Sequence, residues 1–262
     1  MWYKVKKIYQ WTNLVRPYNF ATQWPCPDGF HVPLESECEA MYNMWISLGA
    51  WTSSTPSNIK TYLKLPAAWD RSRTTWSVEG QWGTTWVYWS ASVNSSNLIL
   101  TFWFDSSSVY YNLWQYRSLG RPIRAFRNNP IVPDNTWTVL KAWTWNAGIF
   151  WSSTLWLISI SSNGTTWITL ADKNLWATTV YNDWDTQTEA NCGKYYQWGN
   201  NYGFPFTWSV TTSSTKVNAG SYWPWNYYSS STFITVNTWA PNSWDSSNNN
   251  NLRWWVDWNI PK

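Results

Sequence analysis

A single histidine, His31, and three cysteines, Cys26, Cys38 and Cys192, are the chain's imidazole and thiol groups and its strongest nucleophiles. A hydrolytic triad needs a hydroxyl or thiol, an imidazole base and a carboxylate to orient that base. His31 lies within Cys26-Pro27-Asp28-Gly29-Phe30-His31-Val32-Pro33, with no neighbouring Ser/Asp pair, so it is expected to tie this turn by hydrogen bonds. The Cys26–Cys38 spacing is not that of a zinc site. An odd cysteine count leaves at least one thiol free or bonded to another chain. A Cys26–Cys192 disulfide and free, partly buried cysteines both remain open. Asp172, Asp183 and Asp185 carry the hard oxygens that calcium takes, but no loop pattern joins them and they read as solvated carboxylates. No catalytic residue, metal or cofactor is expected.

The best binding chemistry lies in Ser106-Ser107-Ser108-Val109-Tyr110-Tyr111-Asn112-Leu113-Trp114-Gln115-Tyr116-Arg117. Tyrosine offers rigid amphipathic contact area, and Ser and Asn offer adaptable hydrogen bonds, as in antibody loops. Tyr110, Tyr111, Asn112, Tyr116 and Arg117 are therefore candidate ligand-binding residues. Asn94 and Asn97, in the Ser/Asn turn before the next strand, join them. The plainer reading of the same segment is a β-hairpin with exposed tyrosines. The loops near residues 92–98 and 106–118 would then meet a protein or glycan.

These residues must be positioned by mostly β elements. Residues 3–17 read as a small hairpin, followed by a Pro-rich loop to residue 32. The best helix starts after Pro33, at Leu34, and ends near Gly49. Glu35, Glu37 and Glu39 fall in its first turns, where the helix dipole favours acids. Residues 58–65 read as a second short helix or turn. Strands are expected at 87–92, 98–104, 109–111 and 122–126, then at 137–141, 149–151, 155–159 and 167–170. Ser161-Ser162-Asn163-Gly164 is the turn of a hairpin, and residues 186–192 read as a short helix. Asn128–Asp134 reads as a linker. The expected units are thus an N-terminal hairpin (1–17), a first domain (18–129), a second β-rich partial domain (130–241) and an Asn/Ser-rich tail (242–262).

Composition narrows the function classes. Charged residues are 12% of the chain and the formal net charge is +4. The basic residues are scattered, without the run or stripe that nucleic acid selects, so no nucleic-acid partner is expected. No apolar run approaches a membrane span. Met1–Gln10 has basic residues without a following apolar stretch, unlike a signal peptide. The Ser/Thr/Asn-rich, low-charge balance nonetheless suits an extracellular or cell-surface protein, exported by another route or within an assembly.

Tryptophan is the anomaly: 29 residues, against 11 glycines. Many stand in turn contexts, such as Trp82-Gly83, Trp143-Thr144-Trp145-Asn146 and Trp223-Pro224-Trp225-Asn226. Glycine is the usual residue there, because it reaches positive φ freely. The codon UGA encodes stop, Trp or Gly in different genetic codes. A bacterial gene that reads UGA as Gly would, translated otherwise, look like this chain. Trp89, Trp137, Trp151, Trp167, Trp198 and Trp244 sit in strand-like or aromatic surroundings and read as true tryptophans. Trp103 and Trp114 remain open, and the remaining 21 read as glycine. The alternative is that the aromatic clusters are real and form a sugar-binding surface.

Five segments occur in order: Cys26-Pro27-Asp28-Gly29-Phe30-His31-Val32-Pro33, the helix with Glu37, Leu63-Lys64-Leu65-Pro66-Ala67-Ala68-Trp69-Asp70-Arg71, Trp86-Val87-Tyr88-Trp89-Ser90-Ala91-Ser92, and Arg117-Ser118-Leu119-Gly120-Arg121-Pro122-Ile123-Arg124-Ala125-Phe126-Arg127. With Trp69 and Trp86 read as Gly, this series resembles the Fibrobacter succinogenes major paralogous domain over about residues 24–128. The resemblance implies an α+β, β-rich, C-type-lectin-like fold related to the formylglycine-generating enzymes: loop-rich, with one main helix and the Trp-Ser strand in the core. A second β-rich half-domain would follow. Three departures matter. Cys38 stands where members often have Trp. Ala125 stands where many have Cys, which removes the usual disulfide partner of Cys26. Residues 171–205 resemble the segment preceding the Cys-Pro-Asp-Gly motif in longer relatives, so the half-domain is expected to be truncated or completed by another segment.

With the Tyr/Asn/Ser-rich loops and the lack of a triad, the expected function is a non-enzymatic recognition module of this type. A structural or adhesin-like component of a cell-envelope or phage-derived assembly is the alternative. Formylglycine-type catalysis is disfavoured, since no cysteine stands at the matching late position.

Overall fold

The structure is a computed structural model. It describes residues 25–27, 29–48, 60–68, 70–75, 78–79, 85–93, 98–105, 107–144, 147–182, 185–206, 209–217 and 228–235. The expected N-terminal hairpin, the Asn/Ser-rich tail, Asn94, Asn97, Asp183 and Trp244 lie outside the described residues.

The main helix, α1 (Glu35–Ser47), forms as its sequence predicts. Cys38, Met41 and Trp45 recur at helical spacing and are buried, with Leu48 continuing the stripe. Side chains satisfy the backbone donors at its N-terminus. Glu37 folds back to accept the Leu34 N–H at 2.8 Å, and the Ser92 hydroxyl accepts the Glu35 N–H at 2.8 Å. A short helical segment covers 60–63.

On one side of α1 lies a three-stranded antiparallel sheet, β4 (Thr85–Val93), β5 (Leu98–Asp105) and β6 (Val109–Tyr116), in that order. Trp86, Tyr88, Phe102 and Phe104 alternate along β4 and β5, and all pack against the helix. On the other side lies a six-stranded antiparallel sheet. Its order is β1 (Phe30–His31), β8 (Phe126–Arg127), β12 (Ile168–Ala171), β11 (Leu157–Ser161), β10 (Ala147–Ser152), β9 (Thr138–Thr144). β11 lies inside this sheet and is buried throughout. Ile158 and Ile160 join the helix core, and the Ser159 hydroxyl on the opposite face donates to Ile131 O at 2.9 Å. The β11–β12 pairing confirms the Ser161–Gly164 turn.

A third sheet has the order β13 (Tyr196–Gln197), β7 (Gly120–Arg121), β2 (Asp70–Arg71), β3 (Val78–Glu79). Gly120 is required where β7 crosses β2, since a Cβ there would lie 2.9 Å from the Arg71 Cβ. A parallel pair, β14 (Thr211–Ser213) and β15 (Thr232–Ile234), lies beyond it. The short helix expected near 186–192 is α2 (Glu189–Cys192).

The expected boundary at residue 130 does not separate the structure. β8 pairs with β12 across it, and β7 pairs with β13. The Trp89 indole donates to Tyr196 O at 2.8 Å, and Gln197 donates to Ser118 O at 2.8 Å. Cys26, Val32, Trp89, Ile99, Ile123 and Ala125 share one buried cluster with Leu175, Tyr196 and Trp198. The physical reason is burial: the first 100-odd residues leave one side of Trp89 open, and residues 175–198 cover it. Strand 122–126 is also shorter than expected: of these residues only Phe126 joins β8, and 122–125 lie outside the ladder.

The described tryptophans fall into distinct environments. Trp89 and Trp198 are fully buried edge to face, with ring centroids 6.0 Å apart. The Trp151 and Trp167 indoles donate to Asp172 and to Gly164 O. By contrast, Trp156 and Trp176 have φ of 57° and 64°, and both are exposed. That is the left-handed region, where a Cβ is strained. Trp45 is buried without an acceptor for its N–H among the described residues. Trp86 departs from its expected glycine-like surroundings. It stacks on Phe104 at 4.9 Å, and its N–H reaches Leu65 O at 3.1 Å.

Candidate functional site

Among the described residues β6 is an edge strand, paired only with β5. Alternate side chains of a strand face opposite ways, and directly opposed residues share a face. Leu98 opposes Tyr116, Leu100 opposes Trp114 and Thr101 opposes Leu113. The register then slips by one residue, so that Trp103 opposes Tyr110. This bulge lies in β6, where three residue steps match two in β5.

The bulge divides the candidate residues. Tyr110 shares the face of Trp103, and the two rings lie 5.3 Å apart at 43°. Trp114 and Tyr116 belong to the opposite face. Tyr110, Trp114 and Tyr116 are 48%, 58% and 38% exposed, enough for a ligand to cover their rings. Asn112 is also exposed. Tyr111 points inward: its ring lies 5.5 Å from Tyr42 of α1, and its hydroxyl donates to Glu39 at 3.2 Å. That hydrogen bond, with the Glu39 charge, raises the Tyr111 pKa. Arg117 does not reach the surface at all. It is fully buried just past the end of β6, where its backbone carbonyl accepts the Trp198 N–H. The expected single tyrosine surface is therefore two surfaces, with Tyr111 and Arg117 behind them.

Two residues complete the Trp114–Tyr116 face. Arg73, from the turn after β2, lays its guanidinium 4.0 Å from the centre of the Tyr116 ring. Leu98 is the half-buried cross-strand neighbour of Tyr116. Trp114 was the signal available in the sequence, because Asn112, Trp114 and Tyr116 alternate. Nothing local marks Arg73, which arrives from 43 residues upstream of Tyr116. At the β5–β6 turn, Asp105 accepts the Ser107 and Ser108 N–H groups at 2.7 and 2.8 Å and the Ser107 hydroxyl at 2.9 Å. Partial desolvation raises its pKa, but these bonds outweigh that and hold the carboxyl below its ordinary value.

The other reactive groups serve the scaffold. His31 is buried, with Nδ1 2.7 Å from Asn128 Oδ1 and Nε2 2.8 Å from both Glu37 oxygens. This ties β1 to α1 and to the chain after β8, as expected of a turn-fastening histidine. All three cysteines are free and buried, so the disulfide alternative is not realised. Burial raises the Cys26 and Cys38 thiols and pushes Cys192 up to about 12, against nucleophilic use at neutral pH. Asp172 is buried rather than solvated: it accepts the Trp151 N–H, and desolvation raises its pKa. Among the described residues, no three His, Cys, Asp or Glu side chains gather as a metal site, and no helix is long and apolar enough to cross a membrane.

No family model, curated protein or solved structure matches the chain. Fold and site therefore define its class by themselves: a β-rich α+β protein built on one main helix between two antiparallel sheets.

Proposed function

We propose that the chain is a non-enzymatic recognition module of the Fibrobacter major paralogous, C-type-lectin-like type. It would act at the cell surface or outside the cell and bind a protein or glycan through β6. The observation that carries the reading is the outward row Asn112, Trp114, Tyr116, whose polar atoms are not used by the fold among the described residues. Exposed aromatic side chains of this kind, rimmed by polar groups, mark interaction sites. The family part of the reading is supported by the convergence of Cys26, Val32, Trp89 and Ala125, from three of the five motifs, in one buried cluster.

A structural or adhesin-like role is the second reading. It is favoured by the position of β6 at a sheet edge, which could template another strand. The opposite edge of this sheet is occupied in part, since Ala91 and Trp89 donate to the carbonyls of Pro33 and Pro122.

The test is screening of the purified protein on printed glycans and immobilised extracellular proteins, with Tyr116→Ala and Tyr110→Ala beside it. Lost binding with an unchanged circular dichroism spectrum supports recognition and identifies the face used. Unchanged binding in both variants refutes the β6 site. Concentration-dependent self-association that Tyr116→Ala abolishes supports the structural role instead.

A further inference from the structure

Arg73 makes no hydrogen bond or ion pair among the described residues; its one contact of note is the Tyr116 ring. A guanidinium stacked on an aromatic face keeps its N–H donors pointing outward around its edge. Beside it, Trp114 presents an indole N–H, and Asn112 presents an amide, neither used within the fold among the described residues. This face therefore offers two aromatic rings, a fixed cation and neutral donors. No carboxylate of the described residues pairs with that cation.

We propose that this face is a subsite for an acidic glycan, a chain of uronic acid sugars. The inference rests on the recognition reading and names its ligand class. A pyranose ring has one face of C–H groups and a polar rim. The C–H face stacks on an indole or phenol ring, whose π-face is negative. The rim hydroxyls accept from the Trp114 N–H and exchange hydrogen bonds with Asn112. A uronate adds a carboxylate at the rim, and the Arg73 fork matches carboxylate geometry in a bidentate pair. Trp114 and Tyr116 are two residues apart along one strand, a rise of roughly 6.6–6.8 Å. They thus meet neighbouring parts of an extended chain rather than a single small molecule. The chain's net charge of +4 favours the encounter.

The experiment is titration of the full chain with hexagalacturonate, followed by tryptophan fluorescence and calorimetry. A neutral galactose oligosaccharide of the same length and poly-glutamate serve as comparators. The expected result is binding of the uronate that weakens with salt, with weaker binding of both comparators. Arg73→Gln should weaken it roughly 10- to 100-fold, the loss of a charge-assisted hydrogen bond pair. Trp114→Ala should weaken it about tenfold or more, as for a stacking anchor. Trp114 is exposed and the half-buried Arg73 makes no hydrogen bond among the described residues, so thermal midpoints should stay near that of the parent. Lys173→Gln, on Trp156 at another surface, should bind as the parent does. Equal affinity for the neutral sugar would overturn the role of Arg73. Equal affinity for poly-glutamate, with Trp114→Ala silent, would show charge attraction alone and overturn the glycan assignment. If hexagalacturonate does not bind but another arrayed ligand binds through Tyr116, the uronate assignment falls and the recognition reading stands. If nothing binds, both fall.

Discussion

Replacing Trp156 or Trp176 by glycine should give a more stable protein than replacing it by alanine, against the usual order in regular structure. Both positions hold φ near 60°, at 57° and 64°. A residue with a Cβ is disfavoured there by about 1–2 kcal/mol. Glycine has more freedom to lose on folding, which offsets about 0.5–1 kcal/mol of that advantage. The expected net preference is about 0.5–1 kcal/mol for glycine at each site. Comparing glycine with alanine removes the indole from both arms, so the loss of the Lys173–Trp156 stacking at 4.2 Å cancels. Ile46, exposed in α1, supplies the reference of opposite sign: there alanine should win by about 1 kcal/mol. Urea midpoints at constant slope measure each difference. In thermal scans, a difference of 1 kcal/mol moves the midpoint by about 2–4 °C for a protein of this size. Alanine equal to or better than glycine at both 156 and 176 would refute the argument from backbone strain. It would also remove structural support for reading these positions as glycine.

The same reading makes a prediction about mass: protein isolated from its native host should weigh well under the 30.9 kDa of the chain as written, and a mass of 30.9 kDa would make the tryptophans real. Asp172→Asn should change the pH dependence of stability. Desolvation raises the Asp172 pKa in the folded state, so its favourable contribution exists in the protonated form and is lost as pH rises through the folded value. The advantage of Asp172→Asn over the parent should grow from about pH 4 to neutrality; a constant difference would refute this. Cys26 and Ala125 are buried in one cluster, so Ala125→Cys should form the cross-link that the family resemblance implies. It should stabilise the oxidised form by about 2–4 kcal/mol and leave two free thiols, Cys38 and Cys192; four free thiols after mild oxidation would count against the resemblance.

Much of the scaffold was legible because its signals are local. The helix at 35–47 follows from the proline, the early acids and the apolar spacing of Cys38, Met41 and Trp45. The pairing of β11 with β12 follows from two apolar runs around Ser161–Gly164. The candidate site was legible only in part. The sequence gathers Tyr110, Asn112, Trp114 and Tyr116 in one segment but predicts a strand only over 109–111; β6 runs on to Tyr116. The bulge opposite Thr101 and Trp103 moves Tyr110 to the other face. A bulge is decided by how two strands twist and pack, and residue type in one strand does not reveal it.

What the sequence determined by itself is the inventory: a β-rich chain with one amphipathic helix, a lone histidine set in a turn, and tyrosines and asparagines gathered before Arg117. Alternation and helical spacing act over a few residues, so they survive in the linear order. What only the tertiary structure decided is partnership. β8 with β12, β7 with β13, and Trp89 with Trp198 join segments that a linker-like stretch had divided. Arg73 comes to rest on Tyr116, while Arg117 goes inside. These pairings arise because half-open apolar faces must be covered by whatever part of the chain can reach them, and burial depends on area rather than sequence distance.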